Sequence, residues 1–297
     1  MSDEEARATF ARIRWADNNG EAYCPRCGCI KVYTLGTRPG WKCSGCKYQF
    51  SVTAGTTFAD RKRPVRDYLL AIAIFANGAK GHSALQLSRD LDCQYRTAYV
   101  LAQKLREAIE DEQRDVKLSG TIEVDGAYFV RRQRPENKVA DRGKKQRPAR
   151  KVVVVMRERG GRTVTVVEPR EGDAVPAIND RVALGSIIHA DEAGGWNRLY
   201  ARYDMMRVNH SVEYKGDDGA CTNWAESYFA RLRRAEFGVH HRISGPYLHQ
   251  YSAEMAWRED NRRVSNGEQF KAIATLAIRH PVSSKWCGYW ERHERNA

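Results

Sequence analysis

Long apolar runs are missing from this 297-residue sequence. No stretch of 18 apolar residues occurs, which excludes an ordinary membrane-spanning helix. An apolar signal core is missing too, because the first residues, MSDEEARATFARIRW, are acidic and then amphipathic. A cytoplasmic protein is expected. No internal repeat and no low-complexity segment is found, which excludes a repeat array. Acids are in short supply: 37 Asp and Glu face 50 Lys and Arg, a net charge of +13. That excess suits a polyanionic partner, although a basic solvated surface would give the same count. Hydrophobic residues reach 42%, enough for a packed core. In a reducing compartment the eight cysteines read as thiols or metal ligands rather than disulfides.

Four of those cysteines form two CxxC pairs, Cys24/Cys27 and Cys43/Cys46, with fifteen residues between the pairs. Each pair makes a tight knuckle, and four thiolates complete a tetrahedral zinc site. A closed four-sulfur site leaves no open position, so this zinc is structural. It would stabilise a segment too small to fold on its own core. Ile30–Thr34 and Tyr48–Thr53 alternate as short strands, giving a zinc ribbon. Cys29 lies outside the site. A redox dithiol or unrelated core cysteines are the alternatives.

Residues 1–20 form an N-terminal helical segment with Phe10, Ile13 and Trp15 as packing residues, and 21–58 the ribbon. Residues 61–115 read as helices. Pro64 suits a first helical position, Ser83 with Gln86 forms a capping box, and Asp92 can cap the next helix. Two helices joined by Leu91–Gln94, the second longer, form a helix-turn-helix-like pair. Gln94, Tyr95, Arg96 and Tyr99 would face a DNA groove. A plain three-helix domain gives the same pattern.

The texture changes at TIEVDGAYF, Thr121–Phe129. Ile122 and Val124 alternate with Glu123 and Asp125, which predicts a strand with two acids on one face. Gly126 loosens the backbone after the second acid. From Arg131 to Lys151 the chain carries ten Lys or Arg and two acids. Lys144 and Lys145 sit in this segment, which would track a phosphate backbone. Strands follow at Lys151–Arg157 and Thr163–Val167, then a helix over Asp173–Ala183 and a strand over Ser186–Asp191. That strand follows a crossover helix and should run parallel to the first. A short strand over Met205–Asn209 and a helix over Thr222–Ala235 complete a core spanning 118–265, and 266–297 is left as a C-terminal tail. On the last helix Trp224, Tyr228 and Leu232 define the buried side.

Asp125, Asp191 and Glu226 then lie on the first strand, the end of the fourth and the following helix. Three converging carboxylates repel unless divalent cations separate them. Oxygen ligands favour Mg2+ or Mn2+, and two such ions serve in-line displacement at phosphorus. Each acid also has a structural reading. Asp125 could be a turn acid, and Asp191 a helix cap with Glu192 as the better ligand. Asn223 and Glu226 could form a capping box. Glu123 is a spare candidate.

Here the sequence resembles bacterial insertion-sequence transposases of the DDE type, with an N-terminal zinc ribbon and an RNase H-like, integrase-like catalytic core. The stretches that carry the resemblance are CPRCGC…WKCSGCKYQFSVTAGTTF, IEVDGAYF, IIHADEAGGW, VNHSVEY, NWAESYFARLRRAEFGVHHRIS and YLHQYSAEMAWREDNRR. The last is expected to be a basic helix. The resemblance implies an α/β fold, an RNase H-like mixed sheet with flanking helices. It implies Asp125, Asp191 and Glu226 as the catalytic triad on two Mg2+ or Mn2+ ions, and structural zinc on Cys24, Cys27, Cys43 and Cys46. DNA contacts are expected at Arg96, Tyr99, Lys144, Lys145, His210 and Arg233. It further implies transposon-end and target DNA as partners, a homodimer or higher oligomer, and a nucleoid location. The rivals are an RNase H-like nuclease or resolvase that does not join strands, and a non-catalytic DNA-binding regulator.

Overall fold

A computed structural model describes residues 1–130, 150–208 and 221–287. The chain divides into two compact units, one of Met1–Ile109 with Val264–Ala297 and one of Glu110–Arg263.

The second unit is built on a five-stranded sheet. β4 (Thr121–Val130), β5 (Arg150–Glu158) and β6 (Thr163–Glu168) form an antiparallel meander. β7 (Ile187–Asp191) lies parallel to β4, and β8 (Asp204–Val208) parallel to β7. This is the RNase H-like mixed sheet expected from the sequence. Val152 to Met156 of β5 are all fully buried, because helices cover both faces of a central strand. That is why they read as an unbroken apolar run. Each such side chain contributes roughly 1.5–3 kcal/mol relative to exposure.

Ile122, Val124, Val154 and Met156 pack on one side with α5 (Val175–Arg181), Trp196 and Leu199. On the other side Ala127, Phe129, Val153 and Val155 meet α6 (Asn223–Ala235) and α7 (Leu248–Asp260). The single helix expected over Asp173–Ala183 is a short 3-10 turn, Glu171–Ala174, running into α5. α7 is a helix as expected, but not a basic one: it carries Glu254, Glu259 and Asp260 against Arg258. Glu254, Arg258 and Glu259 on it are buried, and each finds an opposite charge: Arg258 pairs with Glu254 at 2.8 Å, and Glu259 with Arg157 at 3.1 Å and Arg231 at 2.6 Å.

The first unit begins with α1 (Asp3–Arg14), opened by a Ser2/Glu5 capping box. Phe10 and Trp15 are buried, Trp15 edge-on against Trp41 at 5.3 Å. The ribbon is a three-stranded antiparallel sheet of β1 (Val32–Thr34), β2 (Trp41–Cys43) and β3 (Gln49–Phe50). Then come α2 (Val65–Asn77), α3 (Ala84–Asp90) and α4 (Tyr95–Glu112). Pro64 occupies the N-cap of α2, one place earlier than expected. Ser83 caps α3, accepting from the Gln86 backbone N–H, while the Gln86 amide turns to Asp90. Asp92 does not cap α4, which starts at Tyr95; it sits in the turn with a left-handed φ of 45°. The stretch read as a tail contains α8 (Asn266–Arg279), which has its own Ser265/Glu268 capping box and packs on α1 and α2.

Candidate active site

Parallel pairing of β4 with β7 runs from Thr121–Ile187 to Val124–Ala190. One further step along both strands brings Asp125 beside Asp191, on strands about 4.8 Å apart. β7 stops there while β4 continues to Val130. The two carboxylates therefore sit where the sheet opens past the carboxyl end of a parallel strand, the usual place for a ligand crevice in such sheets. Asp125 is not a turn acid. It pairs with Val155 in mid-strand, and Gly126 with Val154. Its Oδ1 accepts from the Gly126 N–H at 2.7 Å. Asp191 does cap the turn that follows, its Oδ1 accepting from Ala193 N at 3.2 Å and Trp196 Nε1 at 2.8 Å. One oxygen is thereby fixed in direction. Glu192 next to it is exposed.

Glu226 lies in the first turn of α6 and is exposed. The start of that helix is held by the spare acid, Glu123. Its Oε2 accepts from the backbone N–H groups of Trp224 at 2.7 Å and Ala225 at 3.1 Å, and its Oε1 accepts from Arg159 Nε at 2.8 Å. Glu123 is completely buried, and a buried carboxylate survives on such bonds plus the positive end of a helix. No Asn223 capping box forms; Thr222 is the N-cap, and its side chain does not cap the helix. Strand alternation places Glu123 and Asp125 on one face of β4, the face that α6 covers through Ala225, Tyr228 and Phe229. Trp224 was expected on the buried side, but it is 38% exposed, with Arg157 over its ring at 4.9 Å.

Sequence reading missed Glu171. It lies in the 3-10 turn before α5, and its carboxyl packs against Gly126 of β4. Burial and then the charges of Asp191 and Asp125 raise its pKa above the usual carboxylate value. No signal marked it, because it belongs to no strand or helix period.

In the ribbon, the Sγ atoms of Cys24 and Cys46 are 3.6 Å apart, as are those of Cys27 and Cys43. All four sulfurs fall within 4.8 Å of one another, and no other group of three or more ligand residues among those described is so compact. Zn–S bonds of ~2.3 Å in a tetrahedron require sulfurs about 3.8 Å apart, so the cluster fits zinc. Cys24 is held at about 7, and Cys43 also below its ordinary value. Burial opposes ionisation at both, but backbone N–H groups of Arg26 and Cys27 face Cys24, and those of Cys46 and Gly45 face Cys43. Cys29 stays outside the cluster and meets Ser44 Oγ at 3.5 Å.

Residues 117–260 match the family model for the ISXO2-like transposase domain, and residues 1–49 that for the transposase zinc-ribbon domain. The chain belongs to the ISXO2-like transposases. No curated protein matches the sequence. The transposase domain coincides with the unit that holds Asp125 and Asp191, and the two domains mark a DNA-binding protein with a zinc-bound ribbon. No helix among the described residues is long and apolar enough to cross a membrane.

In this transposase the turn between α3 and α4 leaves Gln94, Tyr95 and Arg96 exposed. Tyr99 is half-buried, stacked on Tyr95 at 6.1 Å and edge-on to Trp286 at 5.9 Å. Beside them is a cavity of about 490 Å3 whose lining includes Arg61, Lys62, Arg63, Arg96 and Lys104. Arg233 is exposed in the last turn of α6. Lys144, Lys145, His210 and most of the basic segment lie outside the described residues.

Proposed function

We propose that this transposase cuts and joins the DNA ends of an insertion sequence at Asp125, Asp191 and Glu226. The observation that supports the reading most is the placement of Asp125 and Asp191 at adjoining register positions, one step past the Val124–Ala190 pair. Glu123 adds to it by tying the helix of Glu226 to the strand of Asp125. The donor set is all carboxylate, which suits Mg2+ or Mn2+. Asp125 would face both ions, with Asp191 and Glu226 one each. When bound, the ions lower the pKa of an attacking water or hydroxyl and stabilise charge on the leaving oxygen.

In the first reaction a water oxygen bonds to phosphorus, the bond to the 3′ oxygen breaks, and that oxygen leaves as a 3′-hydroxyl after taking a proton. In the second, the freed hydroxyl attacks a target phosphodiester and displaces its 3′ oxygen. Both steps exchange one P–O bond for another, so no energy source is needed. The ribbon and the α3–α4 pair would recognise the terminal repeats, with Arg96 and Tyr99 at the groove. Two ends must be processed together, so a dimer or larger assembly would act.

An assay with end-bearing duplexes, a target plasmid and Mg2+ tests this. Nicked ends and joined products, both lost in Asp125→Asn and Glu226→Gln, are expected. Nicking without joining would leave a nuclease. DNA binding with no processing dependent on these acids would leave a regulator.

A further inference from the structure

We propose that Glu171 is a fourth carboxylate facing the divalent ions of the catalytic site, an inference that rests on the triad reading above. Three observations place it there. It stands on the 3-10 turn before α5 and reaches the strand of Asp125 at Gly126. A Cβ added to Gly126 would lie 2.7 Å from Glu171 Cγ and 2.9 Å from its Oε1. On its other side a Cβ at Gly195, four residues past Asp191, would lie 3.2 Å from Glu171 Cβ. At Gly195 the nearest atom is the Gly172 backbone N, at 3.1 Å, so Gly126 makes room for this side chain and Gly195 for the turn that carries it. Neither has a positive φ, so backbone freedom is not what requires them.

The second observation is charge. Glu171 is close enough to Asp191 and Asp125 to feel both carboxylates, and among the described residues no hydrogen-bond donor and no cation meets its own. The other buried acids of this unit are handled differently. Glu123 has an Arg and two N–H groups, and Glu259 has Arg157, Arg231 and Arg262. Burial and facing carboxylates disfavour the anion, and a cation among them relieves that repulsion.

The third is access. Glu171 approaches from the α5 side of the sheet, whereas α6 covers the opposite face. It therefore supplies an oxygen from a direction that the α6 carboxylate does not. A divalent ion that needs near-octahedral oxygens gains a ligand, directly or through its water. The triad alone would leave that side to solvent.

The test uses the full-length protein with Mn2+ as probe, read by calorimetry and by the shift in melting temperature, so that DNA processing is not needed. Glu171→Gln should weaken Mn2+ binding about tenfold or more and, without metal, melt at or above wild type because repulsion is removed. Gly126→Ala keeps the charge but displaces it, and should weaken Mn2+ binding as well. Unchanged Mn2+ affinity in Glu171→Gln, with Asp125→Asn weakened, overturns the role of Glu171 and leaves the triad. No weakening in Asp125→Asn either overturns the triad reading itself. A Glu171→Gln protein that melts below wild type yet keeps its Mn2+ shift assigns Glu171 to structure alone and also overturns the proposal.

Discussion

The ribbon and the crevice at Asp125 and Asp191 both gather groups of like charge, and they do so in opposite ways. In the ribbon four sulfurs crowd within 4.8 Å, and backbone N–H groups already turn toward the buried pair. The knuckles belong to a segment with three short strands and little core of its own, so metal and fold are one event. In the crevice the carboxylates hang on a sheet whose core is complete without them. No three of them among the described residues come within the same 4.8 Å. The difference teaches that the sulfur cluster is part of how its segment folds, while the carboxylates stand on a frame that is already packed without them.

Removing zinc should break the comparison most visibly. Structural zinc is worth on the order of 10 kcal/mol to a small domain. Chelation or Cys43→Ser should therefore expose amide protons over residues 21–50 in hydrogen exchange while β4 and β5 stay protected. Equal protection of the ribbon with and without metal would show that it stands on its own packing. Asp125→Asn should do the reverse. End cleavage should fall by about a thousandfold or more, roughly 4 kcal/mol of barrier, while the urea midpoint holds or rises. A large loss of stability would mean that Asp125 belongs to the frame.

Glu123→Ala sharpens the line between frame and site. It strands two helix N–H groups and takes the carboxylate from Arg159, which keeps its bond to the Cys221 carbonyl, and should cost about 3 kcal/mol in urea denaturation. Glu123→Gln, which keeps the acceptor, should cost less. A stability equal to wild type for Glu123→Ala would show that α6 is held by its apolar face alone. The smallest effect concerns Glu259. Its pKa lies below the ordinary value: burial opposes the charge, but the hydrogen bond and charge of Arg231, with Arg157 and Arg262, prevail. The stability it contributes is thus present above the ordinary carboxylate pKa and lost as pH falls through its lower folded value. The gap between wild type and Glu259→Gln should be widest near pH 7 and close below about pH 4. A gap that does not change with pH would show that shape, not charge, accounts for it.

Most of the frame was legible because it follows period. Alternation marked β4, the apolar run marked a strand buried on both sides, and a crossover helix implied the parallel partner. Cysteine spacing carried the ribbon outright. Reading failed where a residue's partner lies far along the chain. Asn223 with Glu226 looked like a local cap, but the cap comes from Glu123, about a hundred residues earlier. Trp224 looked buried by spacing, but the face that packs on the sheet is the one with Ala225, Tyr228, Phe229 and Leu232. The charges on α7 gave no sign of their burial, because sequence shows the ions and not their partners. Glu171 was invisible because a 3-10 turn has too few residues to show a pattern.

One consequence of the β4 register concerns insertions and deletions. A single residue added between Thr121 and Glu123 would turn both acids to the other side of the sheet, and one added between Glu123 and Asp125 would turn Asp125 alone. Two added residues would restore the side but carry the acid one rung, about 6.6 Å, past the end of β7. Length in this stretch is therefore quantised: neither change leaves an acid beside Asp191 and a cap under α6 together. If Asp125 and Asp191 act as proposed, a chain with an indel here would lose the site even with every acidic residue intact, and the spacing of Glu123 and Asp125 would mark which related sequences keep it.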